Sequence, residues 1–443
     1  MIFPGEHEKH ESIWMALGPT SRENNYEYTF KKCEEDPLRY SPFHQVQLPM
    51  MEALLSGNNP EDLLLREDSK NSSYDKFYID LIIHEEQDQD YVKNCLKKRN
   101  NINPTLIEEN IRFHVIEHLD MWMRDNGPIF VVIREQGTRA IVDFGFTLWS
   151  YCKQHDEEAV IEEAVDRKVA HLLNLPVIRS HLISEGGNRE FNGRGILMMV
   201  EHVEMQRNKN NHVKDRQDIE REMKRVFGES ARSIVWLETE GLVEDTHAYR
   251  GFLPNHLNEH HDRLLPSMGT GGHIDEWCRF ANENTILLAQ VPEDSQDSLS
   301  MENRKRLEQN YVLLKQHPEL SDVKILRVPV APHIIHSISE GDGVFETLKL
   351  LDFEDGLDLK KETTPLQMII ASSYLNFLVS NRVVLISKYY REGLPESVKQ
   401  LDEQVLQLFK EVYPDRNIVQ IATEVLNMGG GGMHCITQQM PAL

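Results

Sequence analysis

Positive charge is in short supply: 48 Lys and Arg stand against 72 Asp and Glu, a net charge of −24 over 443 residues. A surface of that sign repels phosphate backbones and anionic headgroups, which argues against nucleic acid or membrane as the main partner. It suits a cationic small substrate, although acidity for solubility alone accounts for it as well. Cysteine is also sparse. Cys33, Cys95, Cys152, Cys278 and Cys435 form an odd, widely spaced set without a CxxC pair, so free thiols in a reducing, cytoplasmic setting are expected. No apolar run approaches the length of a bilayer span, and residues 1–6 do not read as a signal peptide. A Pro/Ser-rich linker is missing too. Length alone suggests two or three domains, yet the polar stretches 207–216 and 293–303 read as loops within one body.

Hydrophobic residues make up 40% of the chain, enough for a sizeable core. Short apolar runs at 13–17, 77–83, 111–116, 129–133, 140–144, 196–200 and 234–237 read as strands. So do 286–291, 323–328, 369–374, 382–387 and 418–421, with 369–374 and 382–387 expected to pair. Helical periodicity marks 48–55, 88–98, 157–173, 215–227, 301–315 and 396–412. In 157–173 the pattern predicts Val160, Ala164, Val169 and Leu172 near one face. The polar stretch 56–75 reads as a connection. Helices separated by about two strands favour an α/β or mixed arrangement. Five such groups can be drawn, without visible similarity in sequence.

Chemistry concentrates in four stretches. Residues 427–439, Asn-Met-Gly-Gly-Gly-Gly-Met-His-Cys-Ile-Thr-Gln-Gln, put Cys435 beside a His just after four glycines, which let backbone approach a ligand closely. An apolar run at 417–422 leads into them, so a nucleophile on a tight loop is a better reading than a disordered tail. Residues 120–128, Asp-Met-Trp-Met-Arg-Asp-Asn-Gly-Pro, place charges at a strand mouth; a site and a plain Arg124–Asp125 ion pair explain them equally. Glu185-Gly186-Gly187-Asn188 again permits close approach, though a turn with a solvated Glu fits as well. In 269–276, Gly-Thr-Gly-Gly-His-Ile-Asp-Glu, an extended 272–276 would turn His273 and Asp275 to one face, where they could bind metal, move protons or simply pair. His256-Leu257-Asn258-Glu259-His260 matches the H-x-x-E-H zinc pattern, which needs a helix. Pro254 and Pro266 bracket it and no apolar stripe supports one, so it reads as a polar loop.

Together, Cys435, His273, Asp275, Asp125 and Glu185 fit a planar cation. A cysteine hydrolase of esters or peptides has little use for extra pocket carboxylates. A guanidinium presents a fork of N–H donors that matches carboxylates in bidentate geometry, and once bound it favours thiolate over thiol.

The motifs at 122–128, 185–188, 272–275, Ser373-Tyr374-Leu375-Asn376-Phe377 and 429–439, with the opening from Pro4-Gly5-Glu6 to Trp14-Met15, resemble the agmatine deiminase and bacterial-type peptidylarginine deiminase family. The resemblance runs in order over essentially the whole chain. It implies an α/β pentein fold: a propeller of five ββαβ-like units about a pseudo-fivefold axis, forming one catalytic domain over residues 1–443 with the site at its centre. It implies Cys435 as nucleophile, His273 as general acid/base and Asp125 with Asp275 as the guanidinium-binding pair. Glu185 matches the acid that orients the His, Trp122 walls the pocket and Asn376 lines it. The implied reaction is hydrolytic deimination through a Cys435 thiouronium to a ureido product and ammonia. No metal or organic cofactor is required. The implied partner is a cationic guanidino small molecule or peptidyl arginine, and a homo-oligomer is compatible with it.

One departure bears on the substrate. Where agmatine deiminases carry a Phe-Asn-Ala-Trp-Gly-Gly-like run, this chain has Phe144-Gly145-Phe146-Thr147-Leu148-Trp149-Ser150, and Glu-Gly-Gly continues as Asn188-Arg189-Glu190-Phe191. Both segments are expected to shape the far end of the pocket, leaving agmatine, peptidyl or free arginine and other alkylguanidines open. Bulky Phe146, Leu148 and Trp149 predict a narrow alkyl chain or a different tail rather than a free amine. Lys153 is the nearest basic candidate for a substrate carboxylate, a solvated surface Lys being the plainer reading. An amidinotransferase is the alternative that the motifs disfavour. A non-catalytic scaffold would be expected to have lost the Cys or an Asp, and neither is lost.

Overall fold

Apolar runs too short for long strands pair into six small sheets among the described residues. The computed structural model describes residues 1–18, 29–59, 76–99, 101–211, 213–258, 263–354 and 356–443. Most of the polar connection expected at 56–75 therefore lies outside the described residues, while 56–58 end the helix Leu48–Asn58.

Five sheets share one plan, in which an antiparallel pair is followed by a crossover to a third, parallel strand. Ile129–Ile133 runs antiparallel to Thr138–Gly145, which is parallel to Val177–Ile183. Glu190–Phe191, Ile196–Val200 and Ser233–Leu237 repeat the pattern. So do Cys278–Asn282, Thr285–Gln290 and Lys324–Pro329, then Leu378–Val379, Val383–Lys388 and Asn417–Ala422. Parallel strands require a crossover, and helices supply it: Glu157–Glu163 with Val165–Leu173, Glu201–Arg207 with Arg216–Phe227, Ser298–Gln316, and Glu396–Val412. The fifth sheet joins the two ends of the chain. Gln438–Pro441 pairs antiparallel with His10–Ala16, which continues parallel into Tyr78–Ile83 and Ile111–Val115.

The middle strands are continuous apolar runs because both of their faces are covered. Val383, Val384, Leu385 and Ile386 are fully buried, as are Leu197, Met198, Met199 and Val200. Each such side chain contributes roughly 1.5–3 kcal/mol by leaving water.

Three expectations need correction. The expected strand at 369–374 is Leu366–Ile369, and it pairs with Leu264–Pro266 and Ile335–Ile338 in the sixth sheet, not with Val383–Lys388. Its neighbour in sequence, Val383–Lys388, takes the two-residue strand Leu378–Val379 instead. The helix expected over 157–173 breaks at Ala164 into two pieces. Its inward face is Ala159, Glu162, Val165, Asp166, Val169 and Ala170, while Val160 and Leu172 are exposed. Finally, residues 273–276 are not extended: a single 3-10 turn covers Ile274–Glu276.

In each of the five like sheets, the segment just before the first strand holds something the sequence singled out. Asp125 lies in the one-turn helix Met123–Asn126 before Ile129, and Glu185 precedes the turn Gly186–Asn188 before Glu190. His273 and Asp275 precede Cys278, Asn376 precedes Leu378, and Cys435 precedes Gln438. The sixth sheet contributes none of these residues.

Candidate active site

The loop bearing Cys435 needs glycine at two places. Gly430 has φ +99°, and a Cβ there would lie 2.1 Å from the Met268 carbonyl; a Cβ on Gly431 would crowd Cys435 Sγ at 3.0 Å. A short helix, Glu424–Asn427, stands between the strand Asn417–Ala422 and this loop, and Asn427 Nδ2 donates to the Gly431 carbonyl. Asn376 then fixes the thiol from the next segment. Its Oδ1 accepts from the His434 and Cys435 amides, and its Nδ2 lies 3.0 Å from Sγ and 2.8 Å from Glu276 Oε1. The expected pocket residue Asn376 is thus in contact with the sulfur.

His273, Asp125 and Asp275 converge around Gly187. A Cβ on that glycine would lie 2.4 Å from His273 Nδ1, 3.1 Å from Asp275 Oδ2 and 3.2 Å from Asp125 Oδ1. Any side chain at position 187 would fill the space between the three. Asp125 does not pair with Arg124, as one reading of the sequence had it. Its Oδ1 accepts from the Gly187 amide at 2.8 Å and its Oδ2 from Trp149 Nε1 at 2.7 Å. Arg124 instead reaches Glu6, Gln438 and Gln439. Glu185 is no solvated turn residue either. It is fully buried, accepts twice from Arg207 Nε at 2.8 and 3.0 Å, and sits 3.2 Å from His273 Nε2.

Burial and charge set the protons in opposite ways on the two sides of this cluster. Burial alone would strip His273 of its proton, but Asp125, Glu185 and Asp275 outweigh it and raise the imidazole to about 9. Burial likewise opposes the charge on Glu185, yet Arg207 and His273 hold it down to about 2. Cys435 moves the other way: burial, then Asp275, Glu276 and Asp125, push the thiol well above its usual range. These shifts favour an imidazolium at His273 and a thiol at Cys435 within the same cluster. A bound cation near the carboxylates removes the repulsion that holds the thiol proton.

Four contributors, three buried and Glu6 half-buried, went unassigned in the sequence. His434 bridges two acids, Nδ1 to Asp275 Oδ2 at 2.6 Å and Nε2 to Glu6 Oε1 at 2.8 Å. Glu6 also takes Arg124 and Arg279, and together these cations hold it well below the usual carboxylate range against burial. Arg207 fixes Glu185, and Glu276 places Oε1 3.7 Å from Cys435 Sγ. His434 and Glu276 adjoin motif residues, so adjacency was an available signal. Glu6 lies in the opening motif Pro4-Gly5-Glu6, whereas nothing local marks Arg207.

Beside this centre lies a cavity of about 340 Å³ whose apolar walls include Phe30, Trp122, Leu148, Trp149, Met268 and Val344. Trp122 lines it together with Gly429 of the thiol loop, is within reach of Gly431, and meets Trp149 edge to face. Phe146 backs Trp149 rather than lining the space. Leu148, Trp149 and Ser150 all have positive φ, 46°, 55° and 72°. Such strain, costing of order 1–3 kcal/mol per residue, persists where surroundings over-determine it. Here the Trp149 indole donates to Asp125 and its carbonyl accepts from His247. Asp120 is the one carboxylate on the cavity wall among the described residues, and no Lys or Arg lines it. Lys153, the basic candidate for a substrate carboxylate, is exposed and bonded through its amide to Asp156. Of the H-x-x-E-H segment, the described part includes the turn Asn255–Leu257, while Glu259 and His260 lie outside the described residues.

An imidazolium, a thiol and paired buried carboxylates are a set suited to a planar cation, and comparison with known proteins gives an enzyme class that acts on one. A profile of the Porphyromonas-type peptidyl-arginine deiminases matches residues 71–249 and 261–441, so the chain belongs to that family. It is an enzyme acting on guanidino C–N bonds. Among similar proteins, the agmatine deiminase of Medicago truncatula is 25% identical over 353 residues, covering 76% of this chain and 80% of the relative. That of Pseudomonas aeruginosa (strain LESB58) is 27% identical over 352 residues, covering 77% and 80%. The solved agmatine deiminase of Enterococcus faecalis shares the fold, with a TM-score of 0.63 at 19% identity over 100% of this chain and 96% of the other. The agmatine deiminase of C. jejuni with substrate bound does so with a TM-score of 0.62 at 18% identity and the same coverage.

Proposed function

We propose that this enzyme hydrolyses a guanidinoalkane to a ureido product and ammonia, with Cys435 as the covalent nucleophile. The observation that carries the reading is the contact set at the sulfur: Asp275 Oδ2 at 3.7 Å, Asn376 Nδ2 at 3.0 Å, and the imidazolium of His273 held by Glu185 across the same cluster. The guanidinium lies between Asp125 and Asp275, whose buried oxygens replace its lost water. Its charge favours loss of the thiol proton to solvent, and the resulting thiolate attacks the central carbon. His273 gives its proton to the departing amino group as the C–N bond breaks. The neutral imidazole then takes a proton from water, whose oxygen adds to the thiouronium carbon. The C–S bond breaks, and the ureido product leaves with the sulfur restored.

The tail is read from the cavity. Its apolar walls accept a methylene chain, and Asp120 supplies the acidic partner that a terminal ammonium needs on leaving water. An amine-ended guanidine such as agmatine fits this better than free arginine, whose carboxylate would meet Asp120 and no cation. That reverses the expectation that the replaced segment at 144–150 disfavours an amine. The same reading includes a ring of the five like sheets around the site, one catalytic domain, no metal or organic cofactor, a cationic small-molecule partner and a cytosolic setting. Among the described residues no helix is long and apolar enough to cross a membrane. The test compares agmatine, arginine, an arginine-containing peptide and guanidinobutyrate under identical conditions, measuring ureido product and ammonia. Agmatine is expected to lead; arginine leading would overturn the tail assignment, and silence from all four would overturn the activity.

A further inference from the structure

The reaction makes no call on Glu276, a third carboxyl buried beside the sulfur. Its Oε1 lies 3.7 Å from Cys435 Sγ, and Asp275 Oδ2 lies 3.7 Å from the same atom. The two oxygens and the sulfur all fall within 4.8 Å of one another. A tetrahedral zinc ion, bound at ~2.3 Å to sulfur and ~2.0–2.2 Å to carboxylate oxygen, separates those ligand atoms by about 3.6 Å. Both sulfur–oxygen distances match that edge.

The surroundings are those of ligands already oriented. His434 Nδ1 holds Asp275 Oδ2 at 2.6 Å, and Asn376 Nδ2 contacts Glu276 Oε1 and the sulfur. Such outer partners fix metal-ligating carboxylates in the direction they need. Asp275 is wholly buried, and its second oxygen, Oδ1, has no hydrogen-bond partner. A buried carboxylate oxygen left unpaired at a crowd of like charges marks a place where a cation is stabilised. One thiolate with two carboxylates suits a borderline-soft dication such as zinc, and suits magnesium or calcium poorly.

We propose that Asp275, Glu276 and Cys435 form an inhibitory divalent-metal site that a zinc-class ion occupies in competition with the guanidinium. Binding releases the protons of the Cys435 thiol and the Glu276 carboxyl to solvent and forms metal–sulfur and metal–oxygen bonds, with no change of oxidation state. A water completes the coordination. The metal site stands on its own geometry, and only the competition rests on the guanidine reading.

Cobalt(II) added to the full-length protein gives the test, because it reports coordination without turnover. One equivalent is expected to produce a sulfur-to-cobalt charge-transfer absorption and the visible bands of a four-coordinate ion. Cys435→Ala should abolish the charge-transfer band, and Cys278→Ala should leave it unchanged. Glu276→Gln should weaken cobalt binding at least ~10-fold; should that variant fail to fold, Glu276→Asp should show a weaker version of the same shift. Zinc should inhibit guanidine hydrolysis competitively and reversibly on chelation, with magnesium inert at the same concentration. No charge-transfer band in the wild type, a band surviving in Cys435→Ala, or wild-type cobalt affinity in both Glu276 variants would each overturn the site. Failure to turn over any guanidine would count against the proposed activity and leave the cobalt result intact.

Discussion

The reacting centre and the cavity beside it are built on opposite rules. In the centre most polar atoms are committed before a substrate arrives, while Asp275 Oδ1 and His273 Nδ1 have no hydrogen-bond partner. Asp125 takes two donors, Glu185 takes two bonds from Arg207 and one from His273, and Asn376 ties the thiol loop to Glu276. In the cavity aromatic and aliphatic walls surround a single carboxylate, Asp120. On the proposed reading, the first region is a fixed charge pattern for one functional group, and the second selects molecules by width and one charge. Damage to the centre should therefore appear mainly in kcat, and damage to the cavity in KM and in the order of preferred substrates.

The largest effect should come from Cys435→Ala. Turnover should vanish while the variant stays folded, and wild-type protein quenched with substrate should carry added mass on Cys435; normal turnover by the variant would end the covalent mechanism. Next come Asp125→Asn and Asp275→Asn. Each removes a charge-assisted contact worth ~1.5–3 kcal/mol, so kcat/KM should fall at least ~10-fold. Either variant at full activity would take that residue out of the site.

The pH profile tests the electrostatics of the centre directly. His273 is raised to about 9, so it is the imidazolium required of a general acid below that pH and loses the proton above it. Rates should fall as pH rises through about 9, and Asp125→Asn, which removes one of the charges raising the imidazole, should bring that fall to lower pH. An alkaline limb that stays put in this variant would contradict the assignment. Trp149→Phe probes the boundary between the two regions. It keeps the wall but deletes the N–H that Asp125 Oδ2 accepts, and should cost roughly 10-fold through a buried carboxylate left one donor short.

The smallest and most selective effect belongs to Asp120→Asn. Measured by KM, it should weaken an amine-ended guanidine by a few-fold to ~10-fold, in line with ~0.5–1.5 kcal/mol for a partly solvated contact. A neutral alkylguanidine of the same length should be unaffected. Equal losses on both substrates would mean that Asp120 holds the wall rather than the tail.

What could be read from the sequence followed how locally each feature is determined. Ile129–Ile133, Ile196–Val200 and Glu396–Val412 have the expected bounds because each carries its own unbroken run or period. Glu190–Phe191 and Leu378–Val379 are two residues long, too short for any period to register. The partner of Leu366–Ile369 is chosen by tertiary packing, so proximity to 382–387 misled. The motif residues that the sequence grouped do come together, though His273 and Asp275 do so through a turn rather than a strand face. Glu6 reaches His434 across 428 residues and Arg207 reaches Glu185 across 22, and no window along the chain contains either bond as a pattern.

The sheet in which Gln438–Pro441 lies against His10–Ala16 has a consequence for the protein's birth. The strand just after Cys435 docks on one synthesised more than 400 residues earlier, His10 being paired with Pro441. At ~5–20 residues per second, the early strand waits on the order of half a minute or more for its partner. Throughout synthesis Glu6 has no His434 to hold, Asp275 has neither His434 nor the sulfur beside it, and the helix Met123–Asn126 has no Cys435 carbonyl for its Arg124 amide. A chain made only as far as residue 426 therefore carries Asp125, Glu185, His273 and Asp275 without the sulfur they surround. The strand pairing that closes the fifth sheet joins His10 to Pro441, at opposite ends of that order.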